Sequence, residues 1–328
     1  MDPSVFTSRF ELPSATYADQ VLLQELKPKI IELHSRHLSV AKTWDPSDLI
    51  TPVQEARLSG ECDPRELPLS ETAASSVTLG YLTEEGLPYY TLAILKSIPP
   101  DHPFAEWARR WTAEEGRHGL ALFGVLWAAG VIDMRKLETD RMVMMEKGDT
   151  PQPESFAEIS VYPTPQEKAT RLNHNGSGRL LPAAYKAVRQ GFTTIAGDEN
   201  LHFNFYNDLS SEGFKIEPSA MTIATARQFI NFTMPGRGIP GYFKHAVRIS
   251  NAAIYGMPEQ EDIFKNLIDE WGIYSLPKLT SDAEYARDAL SAYMTIKLAP
   301  DAERSRQKRQ ERKAKREQEG LEPELSLN

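Results

Sequence analysis

The chain has a single cysteine, Cys62, among 328 residues. That excludes a disulfide framework and also a protein-held iron–sulfur cluster, which ordinarily takes four thiolates. Any redox chemistry must therefore draw its electrons from a separate partner, and a reducing, cytoplasmic setting is expected. Long apolar runs are missing too. The longest, "LALFGVLWAAGVI" from Leu120 to Ile132, has 13 residues, too few to span a bilayer. The N-terminus has no cationic-then-apolar leader pattern and carries Asp2, Glu11 and Asp19, which organelle transit peptides avoid. A net charge of −9 weighs against general nucleic-acid binding. Strand signals are scarce. What remains is a soluble all-α protein with 41% hydrophobic and 25% charged residues, enough to bury a substantial core.

Residues 1–18 are rich in Pro, Ser and Thr and read as a flexible arm. From Asp19 the residues Val21, Leu22, Leu26, Ile30 and Leu33 recur at helical spacing, opening a helical domain expected over 19–300. The segment 43–52 reads as a turn-rich connection and 53–70 as a polar loop. Helices are expected at about 71–97, 103–130, 165–178, 182–211, 218–234 and 259–272, punctuated by Pro, Gly and Asn. The tail over 301–328 holds eight Lys or Arg between Arg304 and Arg316, the composition of a solvated helix or a disordered end.

"TAEEGRHGL" packs charge against a core-like segment. Side chains three and four apart share a helix face, so Glu115 and His118 fall on one stripe with Trp111, Leu122, Val125 and Ala129. Glu114 and Arg117 fall on the opposite, wet side. The same stepping through "TTIAGDENLHFNFY" puts Glu199 and His202 on a stripe with Val188, Phe192, Ile195, Tyr206 and Leu209. A carboxylate kept charged in a core is costly, and metal coordination is a common remedy. Two Glu-x-x-His pairs on apolar stripes therefore point to metal. On this reading Glu115→Ala or His202→Ala loses metal, and Glu114→Ala retains it.

Two further carboxylates complete a repeat. Glu84 precedes Glu115 by 31 residues and Glu167 precedes Glu199 by 32, intervals that suit antiparallel helix pairs. One Glu followed by Glu-x-x-His, given twice, is the pattern of the dinuclear carboxylate bundle. Four glutamates and two divalent cations also sum to no net charge. Phase alone does not choose between Glu84 and Glu85, and the face around Glu167 is largely polar.

"WTAEEGRHG", "TEEGLPYY", "QEKATRLNHNG" and "DENLH" resemble the soluble acyl-acyl-carrier-protein desaturases of plants and actinobacteria, most of all the latter, from about Leu22 to about Leu290. The resemblance implies a ferritin-like four-helix bundle with flanking helices. It implies two irons, with manganese able to substitute, held by Glu84 rather than Glu85, Glu115, His118, Glu167, Glu199 and His202. It places Trp44 and Asp198 on a route from the surface to the metals and Thr170 near the oxygen-binding side. Asp198 further suits acceptance of a ring N–H from a ligand histidine. The implied activity is O2-dependent desaturation of an acyl chain on acyl carrier protein, with a ferredoxin donor and a homodimeric assembly. Lys42 and Arg36 are candidate contacts for the acidic carrier.

The chain departs from the family at "VYPTPQEKAT". Pro163 and Pro165 fit poorly inside a helix, so a break is expected before Glu167, with a reshaped pocket wall and an altered substrate. His174 lies seven residues after Glu167 on the same face; its default role is structural. Two rivals stand beside the desaturase: a di-iron hydroxylase of secondary metabolism, and a non-catalytic ferritin-like metal binder.

Overall fold

The computed structural model describes residues 11–319; part of the expected N-terminal arm (1–10) and the end of the charged tail (320–328) lie outside them. Among the described residues the secondary structure is helical, with no strand. The helices are α1 (Asp19–Glu25), α2 (Lys27–Val40), α3 (Pro46–Leu58), α4 (Glu71–Glu84), α5 (Leu87–Leu95), α6 (Pro103–Ala129), α7 (Met134–Lys147), α8 (Phe156–Val161), α9 (Pro163–Leu180), α10 (Lys186–Ile216), α11 (Pro218–Ile230), α12 (Tyr242–Asn251), α13 (Met257–Glu270), α14 (Ser281–Ala292) and α15 (Ala299–Gln318). No helix among them is long and apolar enough to cross a membrane.

Helix starts follow local chemistry. The segment expected to be a turn-rich connection is instead the start of α3. Asp45 caps it, accepting from Ser47 N at 2.8 Å, while Asp48 accepts from Asp45 N at 3.0 Å. Pro46 at the first helical position costs nothing, because its missing donor would be unpaired there anyway. "WDPSD" is thus a helix N-terminus that resembles a turn, and the helix runs on into the expected loop to Leu58. The single helix expected over 71–97 is two, α4 and α5, parted at Glu85–Gly86. Pro88, in the first turn of α5, cannot donate to the Glu84 carbonyl one turn back.

The helices α4, α6, α10 and α9 form the central bundle, each packing on its neighbours in that cyclic order. On one side α2 and α3 lie against α6 and α10; on the other α12 covers α4 and α13 covers α9. Two apolar clusters fill opposite halves. Phe104, Trp107, Phe205, Tyr206 and Leu209 belong to one. Leu122, Val125, Val188, Phe192 and Ile195 belong to the other. On both α6 and α10 the Glu-x-x-His pair falls between the clusters, so a polar layer crosses the bundle at mid-height.

The break expected before Glu167 is present. The helix is parted at Tyr162, between α8 and α9, although Tyr162 keeps helical angles and still donates to the Glu158 carbonyl at 2.9 Å. Pro163 and Pro165 remove the donors that would meet the carbonyls of Ile159 and Val161. Nearby, the Ser160 carbonyl accepts from Ser210 Oγ at 3.1 Å across the bundle. Glu167 sits just beyond the first turn of the resumed helix.

Candidate metal centre

Six buried side chains meet at mid-bundle: Glu84 from the end of α4, Glu115 and His118 from α6, Glu167 from α9, and Glu199 and His202 from α10. Their donor atoms fall into two overlapping groups. Glu84, Glu115, His118 and Glu199 offer atoms within 4.8 Å of one another, and so do Glu115, Glu167, Glu199 and His202. Each group is compact enough for one metal ion. Glu115 and Glu199 belong to both, so each could serve either ion. The alternative Glu85 lies off this layer, paired with Arg141 Nη1 at 3.3 Å.

The histidines aim inward through Nδ1. His202 Nδ1 lies 2.8 Å from Glu115 Oε1 and 3.8 Å from Glu167 Oε2; His118 Nδ1 lies 3.5 Å from Glu115 Oε2 and 3.6 Å from Glu199 Oε1. Their outer nitrogens are engaged elsewhere. His118 Nε2 is 3.3 Å from Asp198 Oδ2, and His202 Nε2 is 2.9 Å from Glu114 Oε2. An Nε2–H donated outward leaves the Nδ1 lone pair facing the site, the tautomer a metal needs.

The two terminal carboxylates are held as well. His174 Nε2 is 3.0 Å from Glu84 Oε1, and Trp111 Nε1 donates to Glu167 Oε1 at 3.1 Å. Each of the four terminal donors thus has its own outer partner. By contrast Glu115 Oε1, both oxygens of Glu199, Glu167 Oε2, His118 Nδ1 and His202 Nδ1 are buried with no hydrogen bond to any group outside the six. Unpaired buried polar atoms are rare and expensive. Here they all converge on the space between the two Glu-x-x-His pairs, as donors for a pair of cations would.

The electrostatics agree. Burial, then the neighbouring Glu115, hold the carboxyls of Glu84 and Glu199 well above the usual range. Burial opposes ionisation of Glu115 too, but His118 and His202 more than reverse it. His202 is held well above its ordinary value because Glu114, Glu115, Glu167 and Glu199 outweigh the cost of burying its charge. Protons and carboxylates are here sharing a charge deficit that two divalent ions would fill.

Glu114 requires a correction. It does not face water but is 3% exposed, because α2 covers that side of α6 and brings His37 against it. His37 Nε2 lies 2.9 Å from Glu114 Oε2, the oxygen that also meets His202, and Arg110 Nε donates to Oε1 at 2.7 Å. Asp198 is its counterpart on the other side, receiving Arg117 Nη2 at 2.6 Å and Trp44 Nε1 at 3.0 Å. Trp44 is half-buried, lies parallel to the His118 ring at 6.2 Å and carries the Arg117 guanidinium over its face. Glu114 and His37 were missed because their partner comes from a distant helix. A helical wheel drawn on α6 alone has no knowledge of α2. His174 was placed on the correct face, but its bond to Glu84 had no local signal.

Thr170 lies beside Glu167. Its hydroxyl donates to the Gln166 carbonyl at 2.9 Å and accepts from Gln166 Nε2 at 3.0 Å. It lines an apolar cavity of about 310 Å3 between α4, α9 and α12, which also touches Thr83 and Gly80 next to Glu84. Arg36 is tied to Asp208, and Lys42 stands on the α2–α3 connection, across the bundle from that cavity.

A helical bundle with two Glu-x-x-His pairs and two further glutamates at its centre offers the donor set of a dinuclear carboxylate metal site. The sequence matches the fatty acid desaturase family over residues 18–321. Similar proteins include DesA1 of Mycobacterium tuberculosis, provisionally named an acyl-[acyl-carrier-protein] desaturase. It is 31% identical, with 92% of this chain and 93% of the relative covered. Stearoyl-[acyl-carrier-protein] 9-desaturase 5 of Arabidopsis thaliana is 29% identical over 83% of this chain and 71% of its own. The X-ray structure of DesA2 from M. tuberculosis superposes with a TM-score of 0.61 at 20% identity, covering 81% of this chain and 99% of that one. The chain belongs to the fatty acid desaturase family.

Proposed function

We propose that this chain is an acyl-[acyl-carrier-protein] desaturase that removes two hydrogens from neighbouring carbons of a carrier-bound acyl chain. O2, two electrons and two protons are consumed and two waters released. The observation that carries the reading is the six-donor layer with an apolar cavity of about 310 Å3 beside it, lined by Thr83, next to Glu84, and by Ala169 and Thr170, close after Glu167. Glu84, Glu115, His118 and Glu199 would hold one iron and Glu115, Glu167, Glu199 and His202 the other. Bound there, the irons supply O2 activation and oxidising power.

The protein's own part is orientation and dryness. The cavity walls are apolar, so the chain lies extended against Ala169 and Thr170 with little water nearby. Trp111, His174, Glu114 and Asp198 fix the terminal donors. The aromatic Trp44, bonded to Asp198 behind His118, offers a path inward for electrons from a ferredoxin-type donor, since the one cysteine, Cys62, provides none.

Carrier protein is acidic, and the cavity mouth suits it better than Lys42 or Arg36. Exposed Arg237 and Lys244 flank it. His245 is held below its ordinary value by burial and then by the neighbouring cations Arg248 and Lys136, against Asp140, with Lys244 adding to them. Phe243 and Val247 stand 70% and 55% exposed on α12 at the same mouth. On α6, Leu120, Phe123 and Trp127 are 66%, 42% and 56% exposed along one stripe. An apolar stripe of that kind suits a second copy of the chain, in line with a homodimer.

The test is turnover of iron-loaded protein with reduced ferredoxin and acyl carrier proteins under labelled O2. Desaturation gives an alkene with no label in the acyl chain. Label retained as a hydroxyl would convert the reading to an oxygenase, and metal binding without O2-dependent product would leave a metal-binding protein.

A further inference from the structure

A second cavity lies against Trp111 and Gln166, beside Glu167, and differs sharply in size. It measures about 40 Å3 and is lined by Tyr90, Trp111, Tyr162 and Gln166, with Ile94 and Pro153 beyond. Pro235 borders both cavities. The partition between them is the Gln166–Thr170 hydrogen bond at 3.0 Å, next to Glu167. An acyl chain that enters at α12 and runs on past Glu167 would continue into this smaller space.

Its walls are fixed. Tyr90 Oη donates to the Thr83 carbonyl at 3.0 Å, Tyr162 Oη to the Thr233 carbonyl at 2.9 Å, and Trp111 Nε1 to Glu167 at 3.1 Å. Three rings, each tied at its polar end, cannot swing aside without leaving a buried donor unpaired. Tyr162 also stands at the proline-marked break between α8 and α9, which sets where its ring projects.

The geometry points to a desaturase that reacts close to the methyl end of its substrate, with Tyr162 as a residue that sets that position. This inference rests on the proposed acyl-carrier activity. An apolar cavity of roughly 150 Å3 takes a benzene ring. By that scale the mouth cavity accommodates on the order of a dozen carbons, and the inner one only about two. The carbons beyond the reacting pair are thus few, whatever the overall chain length.

The test uses iron-loaded protein and carrier protein bearing saturated chains from hexanoyl to octadecanoyl, read by binding and by product analysis. In the wild type, affinity rises by roughly fourfold per methylene and then levels off. The double bond lies within about three carbons of the methyl terminus. Tyr162→Ala, and independently Ile94→Ala, move the levelling point to longer chains and the double bond toward the carboxyl end. Tyr162→Phe, which keeps the ring, leaves both in place. A mid-chain double bond in the wild type, or affinity still climbing to octadecanoyl, overturns the inference and leaves the desaturase reading intact. An unmoved levelling point in a Tyr162→Ala protein that retains its metals and melting temperature also overturns it. The predicted length profile with no alkene from any chain sinks the desaturase reading and supports the cavity depth. No binding of any acyl carrier overturns both.

Discussion

His202 Nε2 and Glu114 Oε2 lie 2.9 Å apart, and that bond fixes which ring nitrogen of His202 faces the centre. Glu114 is in turn clamped by His37 and Arg110. Glu114→Ala should weaken metal binding at the Glu167–His202 side by about tenfold to a hundredfold, with the Glu84–His118 side less affected. Competitive chelator titration monitored by metal stoichiometry measures it. Retention of both metals at wild-type affinity would show that the outer carboxylate has no such role.

A second prediction concerns the metal-free protein. Glu84 and Glu199 have folded-state values raised above the ordinary carboxylate range, and His118 and His202 are raised above that of histidine. A group with a raised value holds its proton more tightly folded than unfolded, so its stability is complete at low pH and declines as pH rises. Glu114, Glu115 and Asp198 are depressed and contribute in the other direction, only as pH falls into or below the ordinary carboxylate range. His174, His34 and His245 are depressed and gain stability as pH rises to about 6.5, so chelator-treated protein should lose melting temperature from about pH 6.5 to about pH 8, while metal-loaded protein should not. Parallel melting curves with and without metal decide this.

Trp44 offers a separation of functions. Trp44→Leu should keep both metals, because it touches Asp198 rather than a donor. Reduction by ferredoxin should slow by about tenfold or more, whereas a small chemical reductant should act at the wild-type rate. Loss of metal in this variant would reassign Trp44 to structure.

The exposed stripe on α6 provides a fourth case. The wild type should sediment as a dimer, and Phe123→Glu with Trp127→Lys should yield a monomer with both metals still bound. An unchanged sedimentation coefficient would move the assembly surface elsewhere.

What sequence could say of this site depended on distance along the chain. Glu115, His118, Glu199 and His202 were legible because an apolar stripe surrounds each pair on its own helix. Glu84 and Glu167 needed the 31- and 32-residue intervals and the family resemblance, since the faces of Glu84 and its neighbour Glu85 both hold apolar residues and the face of Glu167 is largely polar. Glu114 was misplaced and His37 unmarked because their contact spans 77 residues and no periodicity records it. The α3 start was misread for a different reason: a capped helix N-terminus and a turn use the same residues, Asp, Pro and Ser. The break at Tyr162, by contrast, followed directly from two prolines.

The middle and the ends of the polar layer are built differently. His118, His202, Glu84 and Glu167 each have a hydrogen-bonding partner outside the donor set, whereas Glu115 Oε1 and both oxygens of Glu199 have none. The outer donors therefore keep their places while the two shared carboxylates can pivot. With a pair of ions bound, a centre made this way would tolerate a change in their separation without asking the surrounding helices to move.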